Sequence, residues 1–590
     1  MIRLLIAVCV VMFAPSGFAA ESKIEWQPWS DKIFEQAKRE NKFVLLDLEA
    51  VWCHWCHVMD DKTYRDPEVV KLIESRYIAV KVDQDANPDL SNRYEDYGWP
   101  ATVVFAADGS ELVKRRGYLP PQVMASMLDE IIKDPSPGPS VRPAVAVQAA
   151  TSAHLADKQR EKLLNNYFEA YDKDNAGWGT VHKFIQAQNM EYALVKAKEG
   201  DRKHEAMARA TLDAALNLMD PVWGGMYQYS DEVNWKSPHF EKIMSIQADN
   251  LRLYSQAYAL FDESRYLQAA RDIERYLANF LMSPEGVFYT SQNADVNMEI
   301  DGKKYYPLAD AERRKLGMPR IDKNIYSREN GWAIRGLTAL YDVTGDPKVL
   351  ARAKKAADWV VANRGLEGGG FSHGEKDRAG PFLGDTLAMA EAFLALHAST
   401  GERDWLKKAE GAARFIAANF KHDSGFKTTR TPPAGAGVFQ EPVRQIDENL
   451  NLARFANLLS HYTGKSAYRD IAEHALKYLG SPAIAGSNRF LAALLLADRE
   501  FVEDPAHITV VGAKTDAEAR ALHGKALQYP AIYRRIEWWD RSEGALANPD
   551  VEYPEMEQAA AYICVNKACS LPIFNPGEVI ATADRLLEIR

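Results

Sequence analysis

Five times between residues 176 and 428 the chain repeats one small pattern, glycine followed closely by an aromatic or other large apolar residue: AGWGT at Ala176, GGMYQ at Gly224, EGVFYT at Glu285, GGGFS at Gly368 and SGFKT at Ser424. Between these loops run segments such as NLRLYSQAYALF, YLQAARDIERYLANFL, VLARAKKAADWVVANR, TLAMAEAFLALHAST and WLKKAEGAARFIAANF. Their apolar residues fall three and four apart, the period of an amphipathic helix, and about twelve such helices fit between Ala153 and Glu500. A helix of this kind cannot bury its apolar stripe alone, so the helices must stack in pairs. About six pairs suit a closed ring, an (α/α)6 toroid, with the recurring loops lining one mouth of its central cavity.

The segment before the ring has a different texture. From Trp26 to Ile132 the pattern alternates strand and helix. SDKIFEQAKREN reads as a helix with Ser30 as its cap, FVLLDLEA as a buried strand, CHVMDDKTY as a helix start and YIAVKVD as a second strand. ATVVFAADGSELVKRRGY is a hairpin turning at Asp108-Gly109, and PPQVMASMLDEIIK is a closing helix. DPSPGPSVRP follows, too rich in proline to continue as helix or strand, and therefore a linker. After the ring, HITVVGA and YRRIEWW promise a small strand-containing cap. The expected divisions are 1–19, 24–133, a linker over 134–150, a toroid over 151–502 and a C-terminal α/β segment over 503–590. The fold class is multidomain, α/β followed by all-α.

Residues 1–19 combine Arg3, an apolar run from Leu4 to Ala14 and a small-residue end with Gly17 and Ala19. That is the make-up of a secretory signal peptide, so a periplasmic or secreted location is expected, with no stable membrane insertion after cleavage. Removing Cys9 with this leader leaves four cysteines in two close pairs, Cys53 with Cys56 and Cys564 with Cys569. A net charge of -10 argues against a nucleic-acid partner, whose phosphates call for a basic surface.

Cys53, Cys56 and His57 spell C-x-x-C-H, a pattern open to three readings: c-type haem attachment, part of a zinc site, or a redox dithiol. Haem attachment expects a helical wrapper, whereas this pair leaves a buried strand. Zinc needs two further ligands, and Cys564 and Cys569 lie a whole domain away. The dithiol reading asks for three more features. Cys53 should cap a helix, whose free amides favour a thiolate. A cis-proline should face the thiols, and Pro100 follows Trp99 just before a strand. A buried carboxylate should await the proton of the resolving thiol, and Asp47 lies on the preceding strand. No metal or other cofactor is then required. The second pair, Cys564 and Cys569, reads as a structural disulfide, with a second redox pair as the alternative.

Asp47, Trp52 directly before Cys53, and Pro100 together resemble the thioredoxin superfamily. That resemblance implies Cys53 as nucleophile, Cys56 as resolving thiol, Asp47 as proton manager, and Trp52, Trp99 and Pro100 as the client-docking surface. Thioredoxin carries glycine and proline between its cysteines, where this chain has His54 and Trp55. An imidazolium at His54, aided by His57, would favour the thiolate and shift the pair towards oxidant or isomerase behaviour. CHWCHVM followed far downstream by PHFEK at Pro238 is similar to the family that includes spermatogenesis-associated protein 20, in which a thioredoxin-like domain precedes a six-hairpin, glycosidase-like toroid. This chain departs from that family's common WNG motif, with Glu329 before the asparagine of SRENGW.

Toroids of this kind commonly bind or cleave carbohydrate through two carboxylates. Candidates at helix ends and loops are Glu241, Asp249, Asp295, Glu329, Asp385 and Asp447, with His239 and His373 as proton carriers of the sort an epimerase uses. Each acid is also a plausible helix cap or dipole partner. Trp178, Tyr227, Tyr229, Trp235 and Tyr289 are either sugar-stacking faces or core. The expected function is thiol-disulfide exchange with a protein thiol or disulfide partner. A glycoside hydrolase or sugar epimerase is the alternative, and a carbohydrate ligand fits either.

Overall fold

A computed structural model describes residues 23–30, 32–141, 147–377, 379–430, 437–440, 443–486 and 491–587. Segment 1–19, where a signal peptide is expected, lies outside the described residues. No helix among those described is long and apolar enough to cross a membrane.

The N-terminal domain is thioredoxin-like. Its elements are α1 (Ile33–Glu40), β1 (Phe43–Glu49), α2 (His54–Lys62), α3 (Pro67–Arg76), β2 (Tyr77–Asp83), α4 (Pro88–Tyr94), β3 (Ala101–Phe105), β4 (Glu111–Arg116) and α5 (Pro121–Lys133). The strands lie in the order β2-β1-β3-β4, with β1–β2 parallel and the other pairs antiparallel. β1 is buried along Val44–Leu48 because helices cover both faces of the sheet, which explains its unbroken apolar run. Lys32, not Ser30, occupies the cap position of α1. The linker does not hang free: Gly138 N–H donates to Leu112 O at 2.8 Å and Lys114 N–H to Ser140 Oγ at 3.0 Å, so it shields the exposed edge of β4.

The middle of the chain is a closed (α/α)6 toroid. Its inner helices are Ala187–Lys198, Met244–Phe261, Ser327–Thr344, Leu383–Thr400, Ile446–Thr463 and Ala493–Glu500. Each packs on the next, and the last returns to the first. Helices Arg202–Ala215, Ser264–Tyr276, Pro347–Arg364, Arg403–Asn419 and Ser466–Leu479 pack outside their inner partners. Asp157–Glu169 completes the outer layer against Ala493–Glu500 through the Arg160–Asp498 ion pair at 2.7 Å. Three inner helices stop at the same signal, a glycine in the left-handed region (Gly345, Gly401, Gly464) whose N–H returns to the last turn.

The glycine-aromatic loops are held by a device the sequence did not disclose. The Asn330 side chain bonds both N–H and C=O of Phe288, Asn449 does the same for Phe426, and Gln247 for Met226. These three inner helices thus each fasten the loop that leads into them, which sets those loops around one mouth.

The C-terminal cap contains strands Ala506–Val511, Arg534–Trp539, Ala560–Val565 and Ala568–Cys569, with helices Ala517–Leu527 and Val579–Leu587. The second strand pairs parallel to the first, the third antiparallel to the first, and the fourth antiparallel to the third. This is the strand order and direction of the N-terminal domain, a second thioredoxin-type topology. It has no cysteine where the first strand meets its helix. Its disulfide, Cys564–Cys569, instead joins directly opposed residues across the terminal hairpin.

Candidate functional site

β1 ends at Glu49 and the chain turns into α2, which Cys53 caps: its Sγ accepts from Cys56 N–H at 3.1 Å, and the two cysteines form a disulfide. The neighbouring Trp99–Pro100 peptide is cis and leads into β3. Beneath them Asp47 is buried, its Oδ2 3.3 Å from Lys81 Nζ and its Oδ1 without a hydrogen bond. Burial raises the Asp47 carboxyl to about 6 against the pull of Lys81. Lys81 also binds Glu49 and Asp60, so its ammonium fills the centre of the carboxylate trio.

This dithiol does not face open solvent. Cys53 and Cys56 are 3% and 2% exposed, because the mouth of the toroid lies over them. Ile243, just before the inner helix Met244–Phe261, packs on a cluster of Ala50, Trp52, Cys53, Cys56 and Trp99. Glu241 Oε1 accepts the His54 N–H at 3.2 Å, and Asp295 Oδ2 lies 2.5 Å from His54 Nδ1. His54 therefore points into the toroid rim rather than into water. The Asp295 hydrogen bond raises its pKa, whereas burial lowers that of His57. The expected docking surface is turned inward too. Trp52 is 5% exposed and donates its indole N–H to Asp85 Oδ2 at 2.7 Å, and Pro100 is buried.

The remaining candidates divide into those drawn into this interface and those outside it. His373 donates from Nδ1 to Asp385 Oδ1 at 2.9 Å and from Nε2 to the Asp85 carbonyl at 2.7 Å. With acceptors on both nitrogens it is an imidazolium. Burial opposes that charge, but Asp385 outweighs it and holds the pKa at about 9. Glu329 pairs with Arg328, whose own N–H donates to Asp385. His239 stacks on Tyr229 at 4.4 Å and bridges Asp231 and Glu241 at 2.6 and 3.7 Å. Asp249 pairs with Arg252 within its own helix, and Asp447 accepts from Gln188, both away from the dithiol. Trp178, Trp235 and Tyr227 are core: the two indoles donate to backbone carbonyls of Tyr167 and Asn175, and none presents a free face. Tyr289 is half-buried against the toroid core.

Three contributors carry no local signal in the sequence. Asp85 follows β2 in VDQDAN. Arg328 is the central cation among Glu329, Asp385, Asp85 and Glu448. Phe439, from the toroid, is fully buried in the thioredoxin-like core. At the opposite end of the ring a cavity of about 190 Å³, lined by Glu191, Arg252, Arg335, Glu391 and Arg454, is closed by residues 529–534, and no candidate residue lines it.

The interface buries more acids than bases. Burial pushes Glu448 to about 8 and Glu95 to about 7, and raises Asp85, with further repulsion from Asp83 and Glu329. A carboxyl whose pKa is raised by docking contributes stability below its ordinary pKa and loses it as pH climbs through the raised value. Docking is therefore expected to weaken from pH ~5 to ~8. Limited proteolysis of the linker should be faster at the alkaline end, and a rate that is flat or falls with pH would contradict this.

Residues 17–133 match the thioredoxin, DsbH-type family described as "Protein of unknown function, DUF255". The chain is 26% identical to mouse spermatogenesis-associated protein 20 over 312 residues, 47% of this chain and 39% of that protein. It thus spans about two fifths of the length of these curated mammalian relatives. An uncharacterized Caenorhabditis elegans protein is 20% identical over 78% of this chain and 80% of its own. Thiol:disulfide interchange protein DsbD 2 of Pseudomonas aeruginosa is 30% identical over 89 residues, 15% of each chain. Among solved structures, a D-mannose isomerase aligns at 12% identity and a TM-score of 0.45, covering 59% of this chain and 96% of that one. Cellobiose 2-epimerase from Bacillus thermoamylovorans aligns at 11% and 0.44, covering 55% and 86%.

Proposed function

We propose that the chain is a thiol-disulfide oxidoreductase acting outside the cytoplasm, with Cys53 as nucleophile, Cys56 as resolving thiol and Asp47 as proton acceptor. The observation that carries this reading is the placing of Cys53 at the first turn of α2, its sulfur on a free helix amide, beside the cis Trp99–Pro100 peptide. The similarity to a thiol:disulfide interchange protein supports it. So does the leader-like composition of residues 1–19, for the location.

In the reducing direction the Cys53 thiolate attacks a client disulfide, and the departing client sulfur takes up a proton. Cys56 then gives its proton to Asp47, attacks the Cys53 sulfur of the mixed disulfide and releases the client's second thiolate. Two electrons pass to the client and the Cys53–Cys56 disulfide forms. Oxidation of a client dithiol is the same sequence reversed. A protein client has to displace the rim around Ile243 to reach the sulfur.

Sugar chemistry at this mouth finds little support. Glu241, Asp295, His373 and Asp385 are all committed to contacts that bind the two domains or brace the rim. The test is a glutathione redox titration of the whole protein. A reversible two-electron couple is expected, between the thioredoxin value of about -270 mV and the isomerase value of about -180 mV. Absence of any couple, with the domain folded, would refute the reading.

A further inference from the structure

The sequence sets a positive charge, His54, beside Cys53. The structure adds two negative ones from the toroid, and each makes its own hydrogen bond, although both draw on the His54 ring charge. Glu241 takes the first amide of α2, the His54 N–H, at 3.2 Å. That amide belongs to the partial positive charge that would otherwise favour a thiolate at the helix start. Asp295 takes the His54 ring at 2.5 Å. Both acids are buried, Glu241 at 2% and Asp295 at 4% exposure, so solvent screens them weakly. Asp295 is itself fixed by the Gly302 N–H at 2.8 Å, and Glu241 is backed by His239. These carboxylates stand 187 and 241 residues from His54, on a separate domain.

We propose that Glu241 and Asp295 are positioning residues of the dithiol, and that the toroid thereby sets its redox potential. Glu241 opposes negative charge on Cys53 and stabilises the disulfide. Asp295, hydrogen-bonded to the His54 ring, favours its cationic form on the same turn as Cys53, and so stabilises the thiolate. The other titratable groups facing His54 are His239 and His57, with Asp60 acting on His57, and both variants below leave them in place. The redox centre is complete only with the toroid docked. The inference rests on the exchange function proposed above, but its test needs no client.

In a Cys56→Ser background, the thiolate absorbance of Cys53 would be titrated in the full-length protein, alone and with Glu241→Gln or Asp295→Asn. Gln still accepts the His54 N–H and Asn still bonds the imidazole, so the contacts persist while the charges go. Glu241→Gln is expected to lower the Cys53 pKa, giving about tenfold more thiolate at a fixed pH below it. Asp295→Asn is expected to act in the opposite sense by a similar factor. The nuclear magnetic resonance titration of His54 should move down in Asp295→Asn. Opposite shifts support the proposal. Equal shifts, or shifts of the same sign as mere loosening of the rim would produce, overturn it. Loss of exchange in the unmutated protein would sink the proposed function instead, and would leave this titration readable.

Discussion

Phe439→Ala is expected to cost about 3–5 kcal/mol and to uncover the dithiol. The ring is fully buried among Trp29, Phe34 and Phe105, with centroids 4.9, 5.9 and 5.5 Å away, and the Arg93 guanidinium lies 5.2 Å from it. Yet Phe439 belongs to the toroid half of the chain. Its neighbour Gly437 rests so closely on the Asp108–Gly109 turn that a Cβ there would meet Gly109 O at 2.1 Å. The segment therefore acts as a pin driven from one domain into the core of the other. Truncation leaves a void that the β-sheet cannot collapse into, and the same change removes the tie that holds the rim over Cys53. Thermal unfolding should shift down, and alkylation of the reduced protein at Cys53 should speed up. Phe439→Leu should fall between. An unchanged melting curve together with unchanged alkylation would show that the pin does not hold the domains.

Asp47→Asn is expected to slow reduction of glutathione disulfide about 100-fold near neutral pH, the lower end of the usual worth of a positioned proton acceptor. Asp47 and Glu49 both reach Lys81 from β1, but Asp47 is the fully buried one, and burial with one oxygen unbonded places its pKa at about 6. A group of that pKa can take a proton from a thiol and return it on the reverse path. An amide cannot. The acid limb of the pH–rate profile near that value should vanish with the variant. Stability should hold, because a neutral amide is cheaper to bury than a carboxylate and Glu49 and Asp60 still bind Lys81. A variant that keeps both the rate and the acid limb would remove Asp47 from the mechanism.

The two halves of this protein were unequally legible. Cys53 at a helix start, Pro100 before β3, Asp47 on a buried strand and the hairpin at Asp108–Gly109 are all short-range features. So are the helical periods and glycine stops of the toroid. Each depends on residues within a turn or two, so residue type and spacing suffice. The ring itself follows, since repeated amphipathic pairs have no other way to bury their stripes.

The sequence could not say what the conspicuous residues would meet. Trp178, Trp235 and Tyr227, equally suited to sugar or core, became core because their indoles or rings fell between packed helices. His54 looked like a charge free to favour the thiolate, and Trp52 and Trp99 like a landing surface. Docking of the toroid gave His54 the Asp295 carboxylate and set Ile243 against Trp52 and Trp99, while Trp52 turned its indole to Asp85 of its own domain. The second thioredoxin-type topology in the cap also escaped notice, because strand order is set by pairing between distant segments and this copy lacks the cysteine motif. The sequence alone determined the elements and the chemistry carried by the dithiol. Only the tertiary structure decided its charge environment and its access, because both arise from contacts between residues hundreds of positions apart, where no local period records the partner.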